Sequence, residues 1–246
     1  MKLIINADDF GLSKSITDGI IDGMKEGFIT STTVMVNMKY SEYAIKKAIE
    51  NDIYSVGLHI NLTAGKPIIK NNNLTDESGR FLNRNLQLIN IKMTYEDVYD
   101  EIVAQINKFN EYSEGKLQID HLDAHHFLIN NDTVKNVVED ISIKLNIPVR
   151  NENGIKTKCP DIIYTDFSLD DVSIESINKM ISLYKDKDII VELLTHPGYV
   201  DEYTKSITSK LDREEELIIL KQAKEDGLFS NIKLINFSQI WLIIVS

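Results

Sequence analysis

The segment LIINADDFGLSKSITDGIIDGMKEG, residues 3–27, contains one strand-to-helix unit, the repeating element of an α/β fold. Residues 3–6 form a short apolar run of strand character. Over residues 15–25, Ile16, Ile20, Ile21 and Met24 share one helical face, and Gly27 supplies a stop. Between the two lies a polar exit, Asn6-Ala7-Asp8-Asp9-Phe10-Gly11, which puts two carboxylates where the chain leaves the sheet.

The same alternation continues to the end of the chain. Further strands are expected at residues 32–37, 55–61, 118–123, 147–150, 162–164, 188–194 and 233–235. Thr94 and Asp97 form a capping-box start for a helix whose apolar side carries Val98, Ile102 and Ile106. Val134, Val137, Val138 and Ile141 repeat the helical spacing, as do Ile174, Ile177 and Ile181, and then Leu217, Ile218 and Leu220. About seven or eight such units predict an α/β fold, an irregular (β/α) barrel of the TIM type. Two polar interruptions, residues 63–92 and 196–210, follow expected strands and read as lids over the strands' C-terminal ends. No linker divides the chain, so residues 1–246 are expected to form a single domain.

Composition narrows the partners. The net charge of −11 disfavours nucleic acid. A single cysteine, Cys159, excludes a disulfide framework or a thiolate zinc module and suits a reducing compartment. The first residues are too short an apolar run for a signal peptide, and residues 240–245 are far shorter than a membrane span, so a cytoplasmic protein with no membrane partner is expected. That apolar end reads as packed structure, and a homodimer contact could bury it.

Any metal must therefore be held by histidine and carboxylate, and the chain has five histidines. Asp8 and Asp9 suggest a division of labour in which one binds a cation and the other takes a proton from water, although an isolated Asp pair more often caps a helix. In Gly57-Leu58-His59-Ile60-Asn61-Leu62, period two puts His59 on a polar strand face with Asn61. In His121-Leu122-Asp123-Ala124-His125-His126 it puts His121, Asp123 and His125 on one face. His196, before a Pro-Gly turn, is a candidate general acid, and Arg150 is a fixed cation able to hold a carboxylate ionised. All lie near the C-terminal ends of expected strands, the face on which barrels place active sites.

NADDFG, GLHINLT, HLDAHH and LLTHPGY, in this order over nearly the whole chain, resemble the YdjC-like carbohydrate deacetylases of the chitooligosaccharide deacetylase type. The resemblance implies a distorted or incomplete (β/α) TIM-like barrel of the polysaccharide-deacetylase type and hydrolysis of an N-acetyl group from a small acetylated sugar such as chitobiose, a linear amide, with release of acetate. It also implies Asp9, His59 and His125 as metal ligands, Asp8 as catalytic base and His196 as acid. Arg150, as the fixed cation, is expected to keep Asp8 ionised. Ala124 stands where relatives often have Ser, and Phe127 and Ile129 where further histidines are common.

One divalent cation is implied, magnesium first. Two imidazoles and one carboxylate also accept zinc, manganese, iron or cobalt, whereas magnesium prefers oxygen, so zinc is the main competitor. Two alternatives remain at this stage. A metal-dependent phosphoesterase would gather more carboxylates or basic residues in its motifs, and a non-catalytic sugar-binding protein would not need both Asp8 and His196.

Overall fold

A computed structural model describes residues 1–210 and 212–240. Of the apolar run over residues 240–245, expected to be packed and to offer a contact between copies, Ile240 is buried and residues 241–245 lie outside the described residues. Seven strands form one parallel sheet: β1 Lys2–Phe10, β2 Ser31–Val34, β3 Val56–Ile60, β4 Leu122–Ala124, β5 Ile162–Tyr164, β6 Ile190–Thr195 and β7 Lys233–Leu234. The helices are α1 Lys14–Glu26, α2 Ser41–Glu50, α3 Arg84–Leu88, α4 Tyr95–Ser113, α5 Asp132–Leu145, α6 Asp166–Leu169, α7 Ile174–Tyr184, α8 Glu202–Ile207 and α9 Arg213–Glu225. Among the described helices, none is long and apolar enough to cross a membrane.

Local signals hold well. Ser13 caps α1 by accepting from the Ile16 amide, and Gly27 ends it in the left-handed conformation. The Thr94/Asp97 capping box opens α4. Helix α2, which the sequence pattern did not single out, buries Ala44, Ile45 and Ala48.

The strand order is β4-β3-β2-β1-β6-β5, with β7 pairing the start of β1. The sheet curls without closing, which makes the barrel incomplete. The gap between β4 and β5 is where the expected strand over residues 147–150 is reduced to a single bridge, Val149 with Leu122. Beyond that point the Val149 amide turns to the Lys158 carbonyl, inside its own loop. The expected strand over residues 118–123 also shortens, to the three residues of β4, and that over residues 32–37 ends at Val34.

Alternation along β1 builds the interior. Leu3, Ile5 and Ala7 join the main core. Ile4 faces the other way, into an apolar floor with Ile190, Ile235, Phe237 and Ile240. Asn6 and Asp8 follow on that inner side at period two, so polarity rises from the floor to the C-terminal mouth. Above Ala7 the register with β2 slips: Ala7 pairs with Thr32 but Phe10 with Val34, one extra residue on β1.

Candidate active site

The slipped register sets up the site. In an unbroken strand Asp8 and Asp9 would point to opposite faces. Asp9 instead sits at φ 67°, in the left-handed region, and both carboxylates reach the same inner cavity of about 410 Å³. Both are buried.

Asp9 Oδ1 lies 3.5 Å from His59 Nε2 and 3.2 Å from His125 Nδ1, and those two nitrogens are 3.2 Å apart. His59 is fixed from behind: its Nδ1 is 2.7 Å from Asp123 Oδ1, and the Thr33 hydroxyl donates to Asp123 Oδ2 at 2.9 Å. A carboxylate can only accept, so Nδ1 carries a hydrogen toward Asp123, and Nε2, directed at Asp9, is the nitrogen left to bind a cation. Burial opposes a charge on His59, but Asp123, Asp8 and Asp9 outweigh it and raise its pKa to about 9. Burial likewise opposes the charge on Asp9, while Arg213 and His125 hold its carboxyl well below the usual range.

These three residues fit a divalent cation. Among the described residues Asp9 Oδ1 is buried without a hydrogen-bond partner, although two imidazole nitrogens face it. Donors about 2.1 Å from a shared ion would lie roughly 3 to 3.5 Å apart, which is the spacing seen. The positive charge that gathers on His59 is what a bound cation would replace.

Arg150 occupies the open side of the barrel. Its Nη1 and Nη2 donate to Asp8 Oδ2 and Oδ1 at 2.7 and 2.6 Å, and Asn6 Nδ2 donates to Asp8 Oδ1 at 2.8 Å. Nη2 also lies 3.0 Å from Asp123 Oδ2, and Nε donates to Glu192 Oε1 at 2.7 Å. Glu152 approaches to 3.9 Å, and neither of its oxygens has a hydrogen bond among the described residues. Four buried carboxylates thus surround one guanidinium. Burial raises the Glu152 pKa to about 8 and that of Glu192 to about 7, since Arg150 cannot neutralise all four.

His196 closes the far wall, with Nε2 4.0 Å from Asp8 Oδ2. Ser168 Oγ donates to Glu216 Oε1 at 2.6 Å and lies 2.7 Å from His196 Nδ1, so Nδ1 donates to Ser168 and Nε2 presents a lone pair to the cavity. Burial lowers the His196 pKa to about 4, which leaves it neutral at rest. The turn after it packs tightly on α1: a Cβ on Gly198 would lie 2.8 Å from the Ile16 Cα.

The six residues singled out as site residues therefore converge: Asp8, Asp9, His59, His125, Arg150 and His196 all line the inner cavity. Both expected lids line an adjoining outer cleft of about 840 Å³, one through Gly65 and Arg80 and the other through Tyr203 and Ser206. His121 keeps the inner face that groups it with Asp123, but it does not line the cavity. It sits two residues deeper, stacked 3.7 Å from the Phe237 ring with Nδ1 2.6 Å from Asp120 Oδ1, and it fills the space left by Gly57, where a Cβ would lie 2.5 Å from its ring. Asn61 also turns away from the chemistry and organises the start of the first lid, donating to Asn37 and the Ala64 carbonyl.

Arg213, Glu216, Ser168, Glu152 and Glu192 escaped the sequence reading. Glu192 carried a signal, a lone acid in an otherwise apolar strand. Arg213 carried none, because Asp212-Arg213-Glu214-Glu215-Glu216 looks like a solvated helix start.

Residues 2–226 match the family described as YdjC-like protein. A carbohydrate deacetylase of Clostridium beijerinckii is 36% identical over 98% of this chain and 100% of its own length. One from Listeria monocytogenes is 33% identical over 89% of this chain and 91% of its own. A crystal structure from Enterococcus faecalis, described as a cellobiose-phosphate cleavage protein, superposes with a TM-score of 0.87 at 29% identity, covering 97% of this chain and 98% of that one.

Proposed function

The chain belongs to the YdjC-like protein family, and from that premise we propose that it is a carbohydrate deacetylase that hydrolyses the N-acetyl group of a small acetylated sugar, of the chitobiose type, and releases acetate. The observation that carries this reading is the bare, buried Asp9 Oδ1 facing His59 and His125, with Asp8 and His196 opposed across the same cavity.

In this reading Asp9, His59 and His125 hold one divalent cation. When bound, it would polarise the acetyl carbonyl and make water easier to deprotonate. Magnesium is named first by the resemblance, while two imidazole donors favour zinc. Asp8 takes the proton of the attacking water through Oδ2, and the Arg150 fork keeps that oxygen aimed at the cavity. His196 protonates the departing amine through Nε2. Because burial leaves His196 neutral at rest, the proton it delivers is one gained during the reaction, and Asp8 Oδ2, 4.0 Å away, is the group placed to supply it. Products are acetate and a free amino sugar.

A panel of N-acetylated sugars with acetate detection, run beside nitrophenyl phosphate, tests the reaction class. Acetate release that is lost on chelation and restored by add-back supports the reading. Activity indifferent to complete chelation, or phosphate release alone, rejects it.

A further inference from the structure

Arg213 lies 204 positions from Asp9 in the chain, yet its Nη2 is 2.5 Å from Asp9 Oδ2. It is 1% exposed. Its other nitrogens are also committed, Nη1 to the His196 carbonyl at 3.3 Å and Nε to the Lys210 carbonyl at 3.2 Å, and its own carbonyl accepts from the Gly198 amide. The guanidinium is therefore locked in place by the turn that carries His196 and by the end of the second lid. Asp9 has consequently been split into two unlike oxygens. Oδ2 is bound to a fixed cation, and Oδ1 is bare and faces two imidazoles.

We propose that Arg213 is a positioning residue that makes Asp9 a one-oxygen ligand, keeping Oδ2 off the cation so that places remain for water and the acetyl oxygen. The inference rests on the deacetylase reading for its catalytic consequence, but not for its structural one. Carboxylates bind divalent ions with one oxygen or two, and a small ion with three protein ligands has few places to spare. If Asp9 could chelate with both oxygens, the ion would be held at least as well while a place needed by the reactants was filled. Loss of Arg213 should thus damage turnover without weakening the ion, opposite to the usual result of removing a ligand's outer partner, which costs about 10- to 100-fold in metal affinity.

The test uses Co2+ as the probe in the full chain, comparing wild type with Arg213→Lys, Arg213→Gln and Arg213→Met. Three quantities are read: the Co2+ affinity, the intensity of its visible absorption, which falls as coordination number rises, and kcat on an N-acetylated sugar at saturating Co2+. In Arg213→Met, affinity is expected at or above the wild-type value, absorption is weakened, and kcat falls by about 100-fold with KM within a few-fold. Lys and Gln, which keep a donor for Oδ2, should fall between, with absorption and kcat declining together. The inference is overturned by any folded variant that loses kcat with an unaltered spectrum, or alters the spectrum with kcat intact. It is also overturned if weakened affinity, cured by excess Co2+, accounts for the whole loss. Should the wild-type chain release no acetate from any sugar, the deacetylase reading fails, and the spectrum of Arg213→Met still decides whether Arg213 controls Asp9.

Discussion

Asp8 and Asp9 are chemically identical neighbours, both buried and both paired with a buried arginine, and their surroundings differ in one respect that matters. Arg150 grips both oxygens of Asp8, whereas Arg213 grips one oxygen of Asp9 and leaves the other bare. The Arg150 side is crowded with acid: Asp123, Glu192 and Glu152 share its one guanidinium with Asp8. The Arg213 side is made of backbone carbonyls and lid. The side chain does not assign the role; the number of oxygens left free, and what those oxygens face, does so.

The largest expected effect breaks the pair directly. Asp8→Asn should cut acetate release by about 1,000-fold or more while bound metal is unchanged, whereas Asp9→Asn should lose the metal too. Metal analysis of the two purified variants checks this, and equal metal loss in both would erase the distinction. Next comes Arg150→Met, which strands four buried carboxylates. Denaturant unfolding should show a loss of roughly 3–5 kcal/mol, the usual cost of breaking a buried ion pair from one side. A loss under about 1 kcal/mol would mean that the acids rearrange freely.

The acid excess around Arg150 also predicts a pH slope. Glu152 has its pKa raised to about 8 in the folded chain, above the ordinary glutamate value of 4.5. The folded state therefore holds a proton that the unfolded state has lost, and stability is present at low pH and declines as pH rises from about 4.5 through 8. Glu192, raised to about 7, acts in the same direction. Glu152→Gln should flatten this slope and stabilise the chain by roughly 1–3 kcal/mol above pH 8, read as melting temperature against pH. An unchanged slope would remove Glu152 from the account. The smallest effect is on the other side of the cleft: Ser168→Ala takes away the hydroxyl between His196 and Glu216, and kcat should fall by about tenfold with KM little changed.

Much of this was legible in the sequence. Period two in GLHINLT and HLDAHH correctly turned His59 and Asp123 inward, because side-chain direction on a strand is local geometry. The same rule gave the face of His121 but not its depth, which a periodicity does not record, and His121 lies one layer below Asp123, against Phe237. The Ile147-Pro148-Val149-Arg150 stretch has strand composition, yet a single bridge is all it forms, because the sheet has already stopped closing there. Glu152 and Glu192 could be seen as acids but not as partners of Arg150, for nothing local records who lies across the gap.

The sequence by itself determined the alternation of strands and helices, the helix caps at Ser13, Gly27 and Thr94, and the collection of acids and histidines at the strands' C-terminal ends. Each depends on neighbours within a few positions, where periodicity and hydrogen-bonding propensity act. It took the assembled sheet to fix where the barrel opens, to turn Asp8 and Asp9 into one cavity through the extra residue in β1, and to divide them between Arg150 and Arg213. Those outcomes rest on buried charges finding partners 142 and 204 positions away, and the cost of leaving a charge unpaired inside the protein can be met only when the whole sheet has brought the partners together.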